Sequence, residues 1–298
     1  MDFKQLEAFA AVVDYGSFSE AARRLYLTQP TISSHIRTLE KELCAKLIIR
    51  TTKKITVTAK GYQFYESAVR ILHIRNHLLE SFAESPKRMI DLGVSTIPSS
   101  YLLPELLAAF GKKYPDIYFH SLQSDSAGAV EKVLDGSVDL SLVGQDTGEE
   151  SCRFIPFCQD RLVIAAPVSK RYLHMADRKV TFRDFLKEPI ILREKGSGTK
   201  KEMDLFLERM DIPPSELNVV AQMNDLESIR KSIVNGLGIS VLSARSVADL
   251  EKTNQLLVFP LDESVHMRSF YIVYSRNRIL KPHVQKFIRF IQDFYKDR

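Results

Sequence analysis

The 298-residue sequence contains no uninterrupted apolar run of the roughly 18 residues that a membrane-spanning helix needs. Its start, Met1-Asp2-Phe3-Lys4-Gln5, lacks the apolar core of a signal peptide, so residence in the cytoplasm is expected. Cysteine is scarce: Cys44, Cys152 and Cys158 form no C-x-x-C pair, which fits a reducing compartment and excludes a disulfide scaffold. Cys152 and Cys158 stand six apart on a strand-like segment, a spacing that places both on one face. A thiol redox pair and two ordinary buried thiols are the two readings of that spacing. The seven histidines do not fall beside cysteine or carboxylate at metal-ligand spacings, so no metal site and no cofactor are expected. There is no G-x-S-x-G, no H-E-x-x-H and no carboxylate pair set beside a histidine. An enzyme is therefore not expected, although one carrying a DNA-binding module is the alternative of a different class. Low-complexity tracts are absent too, and 45% of residues are hydrophobic, as in folded protein.

What is present is a helix-turn-helix pattern. Ser17-Phe18-Ser19-Glu20 reads as a capping box opening a short helix over 19–26, with Ala21, Ala22 and Leu25 inward. Thr28 then caps a second helix, with Pro30 in its first turn where a missing N–H costs nothing. Ile32, Ile36, Leu39 and Leu43 recur at four, three and four residues and form its buried stripe. The other face carries Gln29, Thr31, Ser33, Ser34, His35 and Arg37, short polar groups suited to base edges and phosphates in a major groove.

The charge is concentrated in the same region. Residues 1–88 hold 14 Lys and Arg against 9 Asp and Glu, and the remainder holds 28 of each. Within residues 23–60 the ratio is 9 to 2. Such a patch beside a helix-turn-helix is the footprint of a phosphate-binding surface. The basic turn Thr51-Thr52-Lys53-Lys54 joins two β-rich pieces into a wing. The DNA-facing set is Ser17, Thr28, Gln29, Pro30, Thr31, Ser33, Ser34, Arg37, Arg50, Lys53 and Lys54, and the partner is duplex DNA.

Beyond the wing the spacing predicts a long helix over 58–83, with a heptad seam of Tyr65, Leu72 and Leu79 beside Ala68 and Phe82. The seam implies a homodimer. Glu84-Ser85-Pro86-Lys87-Arg88 is the linker. From Met89 on, strands and helices alternate, and their order predicts α/β architecture with parallel strands and right-handed crossovers. A second α/β set begins at Leu162, so two lobes and a cleft between them are expected. The domains expected are a DNA-binding domain at 1–58, a linker helix at 59–88 and an effector domain at 89–298. The effector domain divides into lobe I, 89–161 with 268–298, and lobe II, 162–267.

These residues resemble the LysR-type transcriptional regulators over nearly the whole chain. The resemblance rests on Phe9 with Gly16-Ser17-Phe18, Ala21-Ala22-Arg23-Arg24-Leu25, Gln29-Pro30-Thr31-Ile32-Ser33, Ile36-Arg37-Thr38-Leu39-Glu40, Leu47 with Arg50, and Thr58-Ala59-Lys60-Gly61. Further on it rests on Leu103-Pro104, Phe110, Tyr114-Pro115, Gly136 with Val138-Asp139-Leu140, and Gly236-Leu237-Gly238-Ile239. It implies an N-terminal winged helix-turn-helix, a dimerising linker helix and a two-lobed, periplasmic-binding-protein-like effector domain. It also implies a homotetramer that regulates transcription on binding a small molecule, with RNA polymerase as a further candidate partner. Two positions depart from the family. Cys44 stands where glycine is frequent, so it either takes a left-handed conformation at a cost or the helix ends differently. Ser34 stands where many members have a longer basic residue.

Three segments are expected to converge on the cleft: Ser95-Thr96-Ile97-Pro98-Ser99-Ser100, Gly144-Gln145 and Lys195-Gly196-Ser197-Gly198-Thr199. Ligands of such sheets bind beyond the carboxyl ends of strands, and helix N-termini offer free N–H groups. The candidate effector-binding residues are Ser95, Thr96, Ser99, Ser100, Gly144, Gln145, Gly196, Ser197 and Thr199. They are rich in donors and poor in acids, so a small anion is expected. Simple helix capping explains each segment singly. No G-x-x-x-x-G-K follows Gly196, so this is not a nucleotide-type phosphate loop.

Overall fold

At the N-terminus, Asp2 accepts from the Gln5 backbone N–H at 2.9 Å and the Gln5 side chain accepts from that of Asp2 at 3.2 Å, the reciprocal pair that starts α1 (Phe3–Tyr15). Helix α2 (Phe18–Arg24) is capped by Ser17, which accepts from the Glu20 N–H at 3.2 Å. The predicted box is only half formed. The Glu20 carboxylate turns instead to Arg23 at 2.7 Å and Arg24 at 3.0 Å, since charged donors outbid a backbone N–H. Helix α3 (Gln29–Glu42) starts at Thr28 and buries Ile32, Ile36 and Leu39. Leu43, expected to complete that stripe, is the C-cap residue and is exposed.

Cys44 settles the question its identity raised: its φ is +47°, so a residue with a side chain holds the left-handed position that ends α3. Cys44→Gly is expected to stabilise the DNA-binding unit by about 0.5–1 kcal/mol, the relief of that conformation less the extra freedom glycine gives the unfolded chain. Urea unfolding of the two proteins measures it, and an unchanged midpoint would show that Cys44 carries no strain.

Strands β1 (Ile48–Arg50) and β2 (Ile55–Val57) pair antiparallel as the wing. Glu40 of α3 fixes its base, accepting from the backbone N–H groups of Leu47 and Ile48 at 3.0 and 3.2 Å and from Lys46 at 2.7 Å. Burial pushes the Glu40 carboxyl up, but these donors more than offset it and leave the pKa below the usual carboxylate value. Helix α4 (Ala59–Ser81) follows. Its Tyr65 and Ala68 turn inward onto the core built by α1 to α3, where Ala68 is fully buried and Tyr65 donates to Asp14. Burial and Asp14 together push the Tyr65 hydroxyl up to about 12. The predicted seam therefore does not run along one free face: Tyr65 belongs to the internal core and Leu79 is exposed.

The computed structural model describes residues 1–50, 55–81, 88–261 and 267–296, so Lys53, Lys54 and Phe82 lie outside the described residues. The chain forms two units, Met1–Pro86 and Lys87–Arg298.

The second unit runs β3 (Arg88–Ser95), α5 (Leu103–Lys113), β4 (Ile117–Ser124), α6 (Ser126–Asp135), β5 (Leu140–Val143) and β6 (Cys152–Pro167). It continues α7 (Lys170–Ala176), β7 (Pro189–Arg193), α8 (Gly198–Arg209), β8 (Asn218–Met223), α9 (Leu226–Val234), β9 (Ser240–Ser243) and α10 (Ala244–Lys252). It closes with β10 (Leu256–Pro260), β11 (Met267–Ser275) and α11 (Pro282–Tyr295). The parallel triplet β4-β3-β5 predicted from the βαβαβ order is present, extended by antiparallel β11 and β6. The sequence pattern marked only the second half of β6. The whole strand is 16 residues long, and it serves lobe I with its first half and pairs β9 and β10 of lobe II with its second. Strands β7 and β8 form the parallel remainder of lobe II. One core continues beneath both halves of β6, from Phe110, Phe287 and Ile291 to Ile229, Ile233 and Val247.

β6 also overturns the expectation for the cysteines. A bulge between Phe270 and Tyr271 in the β11 register leaves Phe157 without a partner, and one extra residue reverses the alternation of faces. Cys152 is buried among Val130, Val133 and Val273, whereas Cys158 borders the core on the other side. Six residues of extended chain also separate them by about 20 Å, far beyond the roughly 4.4–6.8 Å between Cα atoms that a disulfide spans. Burial raises both thiols above their ordinary value, in Cys158 against the pull of Arg245, so neither is primed as a thiolate. The reading as a Cys152–Cys158 redox switch is set aside.

Candidate functional sites: a DNA-reading helix and an anion cleft

In the first unit the amphipathic pattern of α3 decides what can face DNA. With Ile32, Ile36 and Leu39 buried, the opposite side presents Gln29, Pro30, Ser34 and Arg37 exposed and Thr31 and Ser33 partly exposed. Thr28 is occupied as the cap, accepting from Thr31 at 3.3 Å, and Ser17 likewise caps α2, so both position helix N-termini rather than lying free. Between α3 and the wing lies a depression of about 450 Å³ lined by Ser33, Arg37, Lys46 and Ile49. Arg50 ends β1, across from Ile55. Lys46 was not singled out from the sequence, yet its side chain is exposed at 76% beside Glu40 and adds a cation to this face.

In the second unit the predicted segments meet. Ser95 and Thr96 at the end of β3, Gly144 after β5, and Ser197 and Thr199 at the start of α8 line one small cleft. Four predicted residues do not line it. Ser99 donates to Gln123 at 3.2 Å within a π-helical turn over Pro98–Leu102, and Ser100 is exposed. Gln145 lies against Gly198, and Gly196 lies against Asp125, where an added Cβ would come within 1.9 Å of Oδ2. The cleft is tight, enclosing about 20 Å³, close to the space one water needs. Gly198 allows this closeness: a Cβ there would meet Ser126 Oγ at 3.1 Å and the Gly144 carbonyl at 3.2 Å, both in the other lobe.

The cleft holds charges that the sequence reading missed. Arg268 on β11 is 6% exposed; its Nε donates to Asp160 Oδ2 at 2.9 Å and its Nη1 to Thr199 Oγ1 at 3.1 Å. Its Nη2 sits 2.8 Å from the same Asp160 oxygen but has no aligned hydrogen-bond acceptor among the described residues. Asp160 also accepts from Ser243 of β9 at 2.8 Å, so one buried network joins β6 and β11 to α8 and β9. Arg193, 3% exposed at the end of β7, donates through Nε and Nη2 to Glu194 at 2.8 Å each and reaches Thr96 at 3.4 Å. The expectation of a site poor in acids is thus corrected, since Asp125 and Glu194 line the cleft and Asp160 backs it. No periodic pattern announces Arg193 or Arg268: each is the one charged residue of its strand, and only the pairing of β11 with β6 sets Arg268 opposite Asp160.

Capping does not account for every hydroxyl. The Ser197 side chain makes no capping bond to α8, whereas Asp125 caps α6 through Gly128 N–H at 2.7 Å.

Known proteins share this architecture. Residues 3–62 match the bacterial regulatory helix-turn-helix protein, lysR family, and residues 83–296 match the LysR substrate binding domain. An uncharacterized HTH-type transcriptional regulator of Methanocaldococcus jannaschii is 30% identical over 92% of this chain and 93% of its own length. The HTH-type transcriptional activator CmpR of Synechocystis is 29% identical over 96% and 93%. Among solved structures, the LysR family regulator CbnR superposes with a TM-score of 0.76 at 21% identity over 100% of both chains. The Synechocystis CcmR regulatory domain, solved in complex with 2-PG, does so with 0.64 at 24% identity, over 70% of this chain and 98% of its own. These relatives are regulators rather than enzymes, and with both family models matched across its two units the chain belongs to the LysR family of transcriptional regulators.

Proposed function

We propose that this regulator reads promoter DNA in the cytoplasm through the exposed side of α3 and responds to a small anion held between the lobes of its effector domain. The observation that carries the DNA half is the division of α3: its apolar stripe is buried, so Gln29, Pro30, Thr31, Ser33, Ser34 and Arg37 are what it offers a major groove. Ser17 and Thr28 set the helix N-termini at the backbone, and Arg50, Lys46, Lys53 and Lys54 add phosphate contacts. Gln29→Ala is expected to lose about 1–3 kcal/mol on the operator and little on random DNA, the cost of one bidentate base contact. Equal losses on both would leave Gln29 a backbone contact and remove the base-reading assignment. Competition binding at fixed salt measures the difference.

The effector half rests on Arg268 and Arg193, two guanidinium groups buried beside the hydroxyls of Ser95, Thr96, Ser197 and Thr199. The anion acts by its differential affinity for lobe arrangements, and the contacts that cross the cleft are what it alters. The regulator works as a dimer through α4, paired again as a tetramer through effector domains, with RNA polymerase as its downstream partner.

A further inference from the structure

The donors of the cleft discriminate among anions, a selectivity that rests on the cleft being the effector site. We infer that the effector is recognised through a phosphoryl group seated on the N-terminus of α8, between Arg268 Nη2 and Asp125, and not through a carboxylate gripped by an arginine fork.

A carboxylate is recognised best by two parallel N–H groups on one edge of a guanidinium. Neither arginine has its Nε–Nη2 edge open. The Nε–Nη2 edge of Arg193 is filled by both oxygens of Glu194. The corresponding edge of Arg268 faces Asp160, and its Nη1 is engaged by Thr199. What Arg268 offers an incoming group is the N–H of Nη2 turned away from Asp160: Nη2 is buried, lies 2.8 Å from Asp160 Oδ2 and makes no aligned hydrogen bond among the described residues.

The remaining donors are single and come from different directions. The first N–H groups of α8, at Gly198, Thr199 and Lys200, have no intrahelical acceptor by the geometry of a helix start. The Ser197 hydroxyl leaves them uncapped. Ser95 on β3 and Ser126 on α6 add buried hydroxyls from the other lobe. Scattered single donors converging on a point match a tetrahedral head with three or four oxygens better than a planar pair. The N-terminus of α6 is already occupied by Asp125, so the open anion site is on α8.

Asp125 then separates phosphate from sulfate. Asp125 lines the cleft; its Oδ1 is committed to the α6 cap, while Oδ2 lies against Gly196. A carboxylate facing a bound oxyanion repels it unless the ligand supplies a proton between them. A phosphate near neutral pH carries an acidic O–H to donate; sulfate carries none.

The test is calorimetry on the full chain with inorganic phosphate, methyl phosphate, sulfate, acetate and malonate. Phosphate and methyl phosphate are expected to bind at least tenfold tighter than the other three. Arg268→Lys, which keeps a charge near Asp160 and removes Nη2, should weaken phosphate by tenfold or more. Asp125→Asn retains the α6 cap and should reduce the preference for phosphate over sulfate to less than threefold. Thermal melts confirm that each variant folds, and Ser197→Ala, which removes only an uncapped hydroxyl, gives a milder second probe of the same seat. Sulfate or malonate binding as tightly as phosphate in a Ser197-sensitive way overturns the phosphoryl assignment and leaves the cleft as effector site. Absence of binding by every probe up to 50 mM, on the order of the weakest measurable affinities, overturns both.

Discussion

Asp160→Ala is expected to cost the effector domain about 3–5 kcal/mol, which would lower its melting temperature by about 10 °C. Both partners of the Asp160–Arg268 pair are out of solvent, with side-chain exposures of 0% and 3%. Removing one partner leaves a buried guanidinium with its charge uncompensated. Ser243 loses its partner, and Arg268, which holds Thr199, loses the group that fixes it, so β9 and α8 loosen together. The pair itself need not be a large net stabiliser, because two desolvated charges gain back in attraction little more than they lose in hydration. The double replacement Asp160→Leu with Arg268→Met is therefore expected to recover most of the loss while abolishing any response to the effector. Urea unfolding of full-length protein, followed by far-UV circular dichroism, separates the cases. A loss below 1 kcal/mol for the single variant, the median worth of an exposed pair, would mean that water reaches the site.

Legibility in the sequence followed how local each signal was. Helix starts at Ser17 and Thr28 and the parallel order of β3, β4 and β5 depend on contacts a few residues apart or on alternation along one element, and these were readable. The inward turn of Tyr65 was not, because its heptad spacing fits a partner helix and the internal core equally well, and Asp14 decides between them from 51 positions away. The bulge at Phe157 was invisible for a related reason: nothing in β6 alone says that β11 will skip a residue, yet that skip sends Cys152 and Cys158 to opposite faces. At the cleft, the hydroxyl and glycine segments were found because strand-to-helix junctions are marked by small polar residues. The two arginines were not, since a buried charge is recognisable only from the partner that neutralises it, and Asp160 lies 108 residues from Arg268.

With Tyr65 and Ala68 committed to the internal core, the surface of α4 left for a second copy shifts by about a third of a turn. Ile71, Ile74 and Leu78 recur at three and four residues and are 37%, 52% and 56% exposed. A stripe of that width on a helix of 23 residues is the size of seam that a two-helix contact buries. Ile74→Glu with Leu78→Glu places two carboxylates per chain at its centre, four when the helices pair, and desolvating them is unfavourable enough to give monomers. Affinity for an operator with two half-sites should then fall by about 10²–10⁴, because the second DNA-binding unit no longer arrives at the effective concentration that tethering provides. Affinity for a single half-site should be unchanged, since α3 and the wing are intact, and the salt dependence of operator binding should drop to that of one unit. Light scattering gives the mass and titration on the two DNA lengths gives the affinities. Leu72→Glu, the replacement the heptad spacing alone would recommend, should have a smaller effect on association, because Leu72 is half-buried against its own chain. A double variant that remains dimeric and holds the full operator at wild-type affinity would move the dimer contact off this stripe altogether.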